Sequence, residues 1–116
     1  MKVAIVGSRT LIIKNIGDFL KDCDEIVSGG AKGVDTCAAA YARENGIKLT
    51  EFLPEYEKYG RGAPIVRNRQ IVDYADKVLV FWNGKSRGSA YVIDYAKKMG
   101  KECCVVPCIT PHREGK

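Results

Sequence analysis

Glu25-Ile26-Val27-Ser28-Gly29-Gly30-Ala31-Lys32-Gly33-Val34-Asp35 is the stretch that decides the fold. A short β-branched run leaves a sheet at a glycine-rich turn. Val34, Ala38, Tyr41 and Ala42 then recur at helical spacing until Asn45-Gly46 supplies a stop. Strand, glycine turn and helix in that order form half of a parallel β-α-β unit. Upstream lies another such half: Lys2 to Val6 is a β-branched strand ending at Gly7-Ser8-Arg9, and Ile12, Ile16, Phe19 and Leu20 form the apolar stripe of a helix of about three turns. Downstream, Ile47 to Leu53 reads as a third strand and Glu55 to Pro64 as a loop. Ile65, Val72 and Ala75 mark a third helix, and Lys77 to Trp82 a fourth strand. Val92, Tyr95, Ala96 and Met99 mark a fourth helix, and Glu102 to Pro107 a fifth strand.

Strands that alternate with helices of this length pair in parallel through right-handed crossovers. The expected fold is therefore α/β: a three-layer α/β/α Rossmann-like sandwich on a five-stranded parallel sheet of order 3-2-1-4-5. A chain of 116 residues has room for one such domain, taken as residues 1–108, with residues 109–116 as a flexible tail. No apolar run reaches the length of about 20 residues that spans a bilayer, so no membrane partner is expected. The five cysteines include no Cys-x-x-Cys pair, which suits buried apolar thiols in a reducing cytoplasm. A metal site from Cys103, Cys104, Cys108 and His112 is not expected, because neighbours on a strand point to opposite faces.

In such sheets ligands bind beyond the carboxyl ends of the strands where the order reverses. Three segments reach that edge: Gly7-Ser8-Arg9, Ser28-Gly29-Gly30-Ala31-Lys32-Gly33 and Asn83-Gly84-Lys85-Ser86-Arg87-Gly88-Ser89. Each places glycine, a polar side chain and a cation just before a helix, where close backbone approach, free N–H groups and the helix dipole suit a phosphate. Arg9, Lys32, Arg61, Arg67, Arg69, Lys85 and Arg87 all fall in or beside these turns or near the start of the third helix. The prevalence of arginine among them favours forked anion binding over a merely solvated rim.

These motifs, together with Val34-Asp35 and Arg67-Asn68, resemble the SLOG superfamily, in particular its small YspA/YpsA-like branch, over almost the whole chain from Val3 to Pro107. The resemblance implies a Rossmann-like domain that binds or senses a nucleotide or nucleotide-derived small molecule. Gly7, Ser8, Arg9, Gly29, Gly30 and Gly33 would hold phosphate and ribose, with Gly88 and Ser89 opposite. Two other members set the alternatives: nucleotide hydrolysis like that of the LOG phosphoribohydrolases, and DprA-like binding of single-stranded DNA. Arg67 matches an arginine of the hydrolases. Their Pro-Gly-Gly-x-Gly-Thr-x-x-Glu turn, aligned on Gly88-Ser89, puts Val92 where the glutamate belongs, and Asp94 is two residues late.

The remaining carboxylate is Asp35, which either caps the start of its helix or serves as a ribose acceptor or general base. Trp82, at a strand end, packs into core more readily than it stacks on a base, and Tyr56 and Tyr59 could close over a ligand. His112 has no nucleophile to pair with. The expected ligand is a phosphate-bearing nucleotide derivative, with no separate cofactor, in a protein that can self-associate as a homo-oligomer.

Overall fold

A computed structural model describes residues 1–7, 13, 15–21, 23–30 and 34–107. Its strands are β1 (Lys2–Gly7), β2 (Glu25–Ser28), β3 (Lys48–Glu51), β4 (Lys77–Trp82) and β5 (Glu102–Pro107). Its helices are α1 (Val34–Glu44), α2 (Tyr56–Tyr59), α3 (Ala63–Tyr74) and α4 (Arg87–Lys98). Every strand pairing is parallel, as the alternation of strands and helices requires, and the order is the expected β3-β2-β1-β4-β5. The order reverses between β1 and β4, whose register runs from Val3 against Lys77 to Gly7 against Phe81.

The pleat divides the core in two. Val3, Ile5, Ile26, Leu79 and Phe81 face α1, packing on Val34, Ala38 and Ala42. Ala4, Val27, Val78 and Val80 face α3 and α4, packing on Ile71, Val72, Val92 and Ala96. Alanines at the contact positions of α1 let it lie close to the sheet.

The first expected helix is only partly described, and the part that is seen is a single 3-10 turn, Ile16–Phe19. Ile16 and Leu20 are buried as the stripe requires, with the weak helix formers Asn15 just before the turn and Gly17 inside it. The segment read as a loop from Glu55 to Pro64 is largely helical. It comprises α2, a 3-10 turn at Gly60–Gly62 and the start of α3, where Pro64 occupies the first turn, a position whose N–H has no helical acceptor in any case. β3 is shorter than expected, although Phe52 still donates to the Ser28 carbonyl at 2.9 Å. Ile65 and Met99, placed on apolar stripes by their spacing, are instead exposed.

The thiols also depart from expectation. Cys23 and Cys37 are half-buried against the core, while on β5, an edge strand covered less completely than its neighbours, Cys103 is half-buried and Cys104 exposed. Cys108, His112 and the whole expected tail lie outside the described residues. Among those described, no helix is long and apolar enough to cross a membrane.

The amino edge of the sheet carries a polar knot that sequence reading did not find. Thr50 and the Tyr74 hydroxyl each donate to Glu25 Oε2 at 2.6 Å, and Lys48 Nζ lies 3.8 Å from Oε1. These donors, with Lys48 and Lys2 nearby, hold the Glu25 carboxyl below its ordinary range against a smaller opposing effect of desolvation. The same hydrogen bond raises the Tyr74 hydroxyl above its usual value, and Lys2 Nζ sits 4.1 Å from the centre of the Tyr74 ring.

Candidate functional site

At the carboxyl edge, where the strand order reverses, lies a cavity of about 410 Å³. Its floor is the end of β1, Ile5, Val6 and Gly7, with Ile71 from α3. One wall is Gly29 after β2, Asp35 of α1, and Pro64, Arg67 and Asn68 of α3. The other is Asn83, Ser86, Gly88 and Ser89 around the start of α4.

Gly7 shows why the sequence builds the edge this way. A Cβ there would overlap the side chain of Val34, so the absence of one lets α1 begin directly over the end of β1 and brings Asp35 into the cavity. Asp35 is 8 % exposed. The second turn is shaped from within: Ser28 is fully buried, its hydroxyl accepts from the Gly30 N–H at 3.2 Å, and Gly30 adopts φ of 71°, a value that favours glycine.

Arg67 ties this turn to α3. Its Nη1 donates to the Gly29 carbonyl at 2.9 Å and its Nε to Asn68 Oδ1 at 2.8 Å, and a Cβ on Gly29 would overlap the guanidinium. Engaging Oδ1 in this way leaves the Asn68 amide nitrogen as the donor on this wall.

The α4 wall is ordered by its own side chains. Asn83 Oδ1 accepts from the N–H groups of Lys85 and Ser86 at 2.8 and 3.0 Å, and Ser86 caps the helix by accepting from Ser89 N–H at 3.4 Å. Trp82 Nε1 donates to the Ser86 carbonyl at 3.0 Å. The N–H groups of Arg87 and Gly88 have no acceptor among the described residues. Ser89 is 2 % exposed, and its hydroxyl lines the cavity without a protein partner among the described residues. A buried hydroxyl of this kind ordinarily finds a partner.

The structure thus brings together Gly7, Gly29, Asp35, Arg67, Asn68, Asn83, Ser86, Gly88 and Ser89. Ser28, Gly30, Gly84 and Arg87 shape or border the turns without lining the cavity, and Ser8, Arg9, Lys32 and Gly33 lie outside the described residues. Arg69 is turned elsewhere: its Nε donates to the Tyr91 hydroxyl at 2.6 Å and its guanidinium lies over the Tyr91 and Tyr95 rings on the outside of α3 and α4. Trp82 packs against the α3/α4 core and does not line the cavity, and neither do Tyr56 and Tyr59. Sequence reading missed Ile5, Val6, Pro64 and Ile71. The one available signal was position, since residues ending β1 must floor any ligand at the reversal point.

With this geometry in place, the chain can be set beside known proteins. Residues 1–59 match the family described as YAcAr, the YspA, cpYpsA-related SLOG family. The chain belongs to this family. The likeness in fold extends beyond the matched half: DNA processing protein A (DprA) from Streptococcus pneumoniae superposes with a TM-score of 0.72 over 92 % of the chain, at 24 % identity. The SLOG chain spans 50 % of the length of that DprA chain, and at this identity the likeness speaks for the fold. No curated protein matches the sequence.

Proposed function

We propose that this SLOG protein binds a phosphate-bearing, nucleotide-derived small molecule in the cavity between the ends of β1 and β4, as a binding or sensing domain. The observation that carries the reading is the buried Ser89 hydroxyl, which lines that cavity without a protein partner among the described residues, beside the N–H group of Gly88. Hydroxyl and backbone donors at a helix N-terminus suit a phosphate, and the apolar floor of Ile5, Val6 and Ile71 suits a base. Turnover is less well supported. Val92 stands where the related hydrolases carry a glutamate and is fully buried in the core, while Asp94 is exposed.

A ligand that binds only the folded state raises the melting temperature by mass action, by about 2.7 kcal/mol of stability at a hundred times its Kd. Thermal denaturation with millimolar nucleoside mono- and diphosphates and ADP-ribose is expected to show such a rise. Native mass spectrometry of freshly purified protein would identify any nucleotide that it retains. No shift with any nucleotide would overturn the proposal.

The second reading is single-stranded DNA binding, supported by the likeness in fold to a DNA processing protein and by the net charge of +5. Salt separates the two. Strand binding releases counterions and weakens steeply between 50 and 200 mM salt, roughly 10³-fold or more for a protein touching six or more phosphates, whereas a mononucleotide responds weakly.

A further inference from the structure

Pro64, Asn68 and Ile71 stand at i, i+4 and i+7 of α3 and share the face of that helix that lines the cavity. The strip is apolar on either side of a single amide. A flat heteroaromatic ring fits it, with its faces against carbon and one polar edge against the amide. The phosphate of the same ligand belongs at the start of α4, where the Gly88 N–H and the Ser89 hydroxyl are the donors, because Asn68 lies inside α3 and its backbone N–H is spent within the helix.

The amide has one orientation. Arg67 Nε can only donate and meets Asn68 Oδ1 at 2.8 Å, while Nη1 of the same guanidinium is anchored on the Gly29 carbonyl at 2.9 Å. Turned the other way, the amide would set N–H against N–H. Asn68 therefore shows the cavity its NH₂ group, which has no acceptor among the described residues. The other side-chain acceptors of these two walls are engaged as well: Asn83 Oδ1 by the N–H groups of Lys85 and Ser86, and Ser86 Oγ by that of Ser89. Asp35 comes from α1 on the opposite face of the sheet and is engaged within the protein.

This lock reverses the usual reading of a purine by asparagine. An amide with both ends free pairs with adenine twice, accepting from its exocyclic amino group and donating to ring nitrogen N7. With Oδ1 taken, that amino group would face a donor and stay unpaired, whereas the O6 and N7 atoms of a 6-oxopurine are both acceptors. We infer that Asn68 makes the cavity selective for nucleotides of the 6-oxopurines, guanine and hypoxanthine, over those of adenine. The inference rests on the nucleotide reading of this same cavity and names its ligand class more narrowly. Asn68 is the specificity-determining residue.

Isothermal titration of the wild-type protein with inosine, guanosine and adenosine 5′-monophosphates tests it directly. The inosine nucleotide is expected to bind about 10-fold or more tightly than the adenosine one, the effect of one buried amino group left unpaired. In Asn68→Asp, checked for folding by its melting transition, Arg67 keeps an acceptor and the cavity gains one, so the ratio is expected to fall to one or below. Equal or tighter binding of the adenosine nucleotide by the wild type would overturn the inference while leaving the nucleotide reading standing, and that comparison needs no variant. An unchanged ratio in a folded Asn68→Asp protein would overturn the role of Asn68. Binding of none of the three, where another nucleotide does raise the melting temperature, would overturn this inference alone; binding of no nucleotide at all would overturn the parent reading with it.

Discussion

Gly7 and Ser89 show how differently single residues serve the same cavity. Gly7→Ala places a methyl group inside the Val34 side chain, a clash that only a shift of α1 can relieve. Overpacking of this kind costs about 1–3 kcal/mol, so chemical denaturation should show a lowered midpoint, and nucleotide affinity should fall with it because Asp35 moves too. Ser89→Ala removes a buried hydroxyl that has no protein partner among the described residues, so the free protein should be as stable as the wild type or slightly more so, while the nucleotide-induced rise in melting temperature shrinks. Loss of stability with an undiminished ligand shift would show that Ser89 serves the fold rather than the ligand. Both residues were legible in the sequence as members of strand-end turns, since glycine and serine before a helix announce the edge. The link between Arg67 and Gly29 was not, because a hydrogen bond spanning 38 positions leaves no mark in local spacing.

Among the elements, β2 carries opposite tasks at its two ends: Ser28 shapes the ligand turn and Glu25 anchors the other edge to Thr50 and Tyr74. The Glu25 carboxyl is held below its unfolded value, so the stability it lends is present above about pH 4.5 and is lost as the pH falls through the folded-state value. Tyr74 is shifted the other way, and its contribution is present below about pH 10 and lost as the pH rises further. Urea denaturation across pH should therefore show a weakening on the acid side that is shallower in Glu25→Gln than in the wild type; equal acid slopes would remove Glu25 from the account. β4 was readable to the residue because a buried parallel strand is a continuous apolar run, and β5 was equally readable from its β-branched residues although its edge position leaves it largely exposed. The 3-10 turn at Ile16–Phe19 and the α2 region were not, since an apolar stripe does not separate a single 3-10 turn from a longer helix, the α2 stretch has no clear period, and tertiary contacts decide the conformation.

For the whole molecule, parallel pairing follows from the alternation of elements, the reversal point follows once the sheet is taken as doubly wound, and the DprA superposition shows that the architecture recurs at 24 % identity. Less of the ligand site can be read from sequence, because Ile5, Val6 and Ile71 look like ordinary core residues until the fold places them beneath an opening. If the molecule is a binding domain, wild-type protein incubated with nucleoside monophosphates should release free base no faster than buffer, as measured by chromatography. Robust release that disappears in Asp35→Asn would make it an enzyme instead. Finally, Trp82 is the chain's single tryptophan, and its indole N–H holds the Ser86 carbonyl in the turn that opens α4. The protein therefore carries its own optical probe at the wall where an anion would settle. A ligand drawing on that turn should change the intensity or wavelength of tryptophan emission, so binding could be followed in real time without attaching a label.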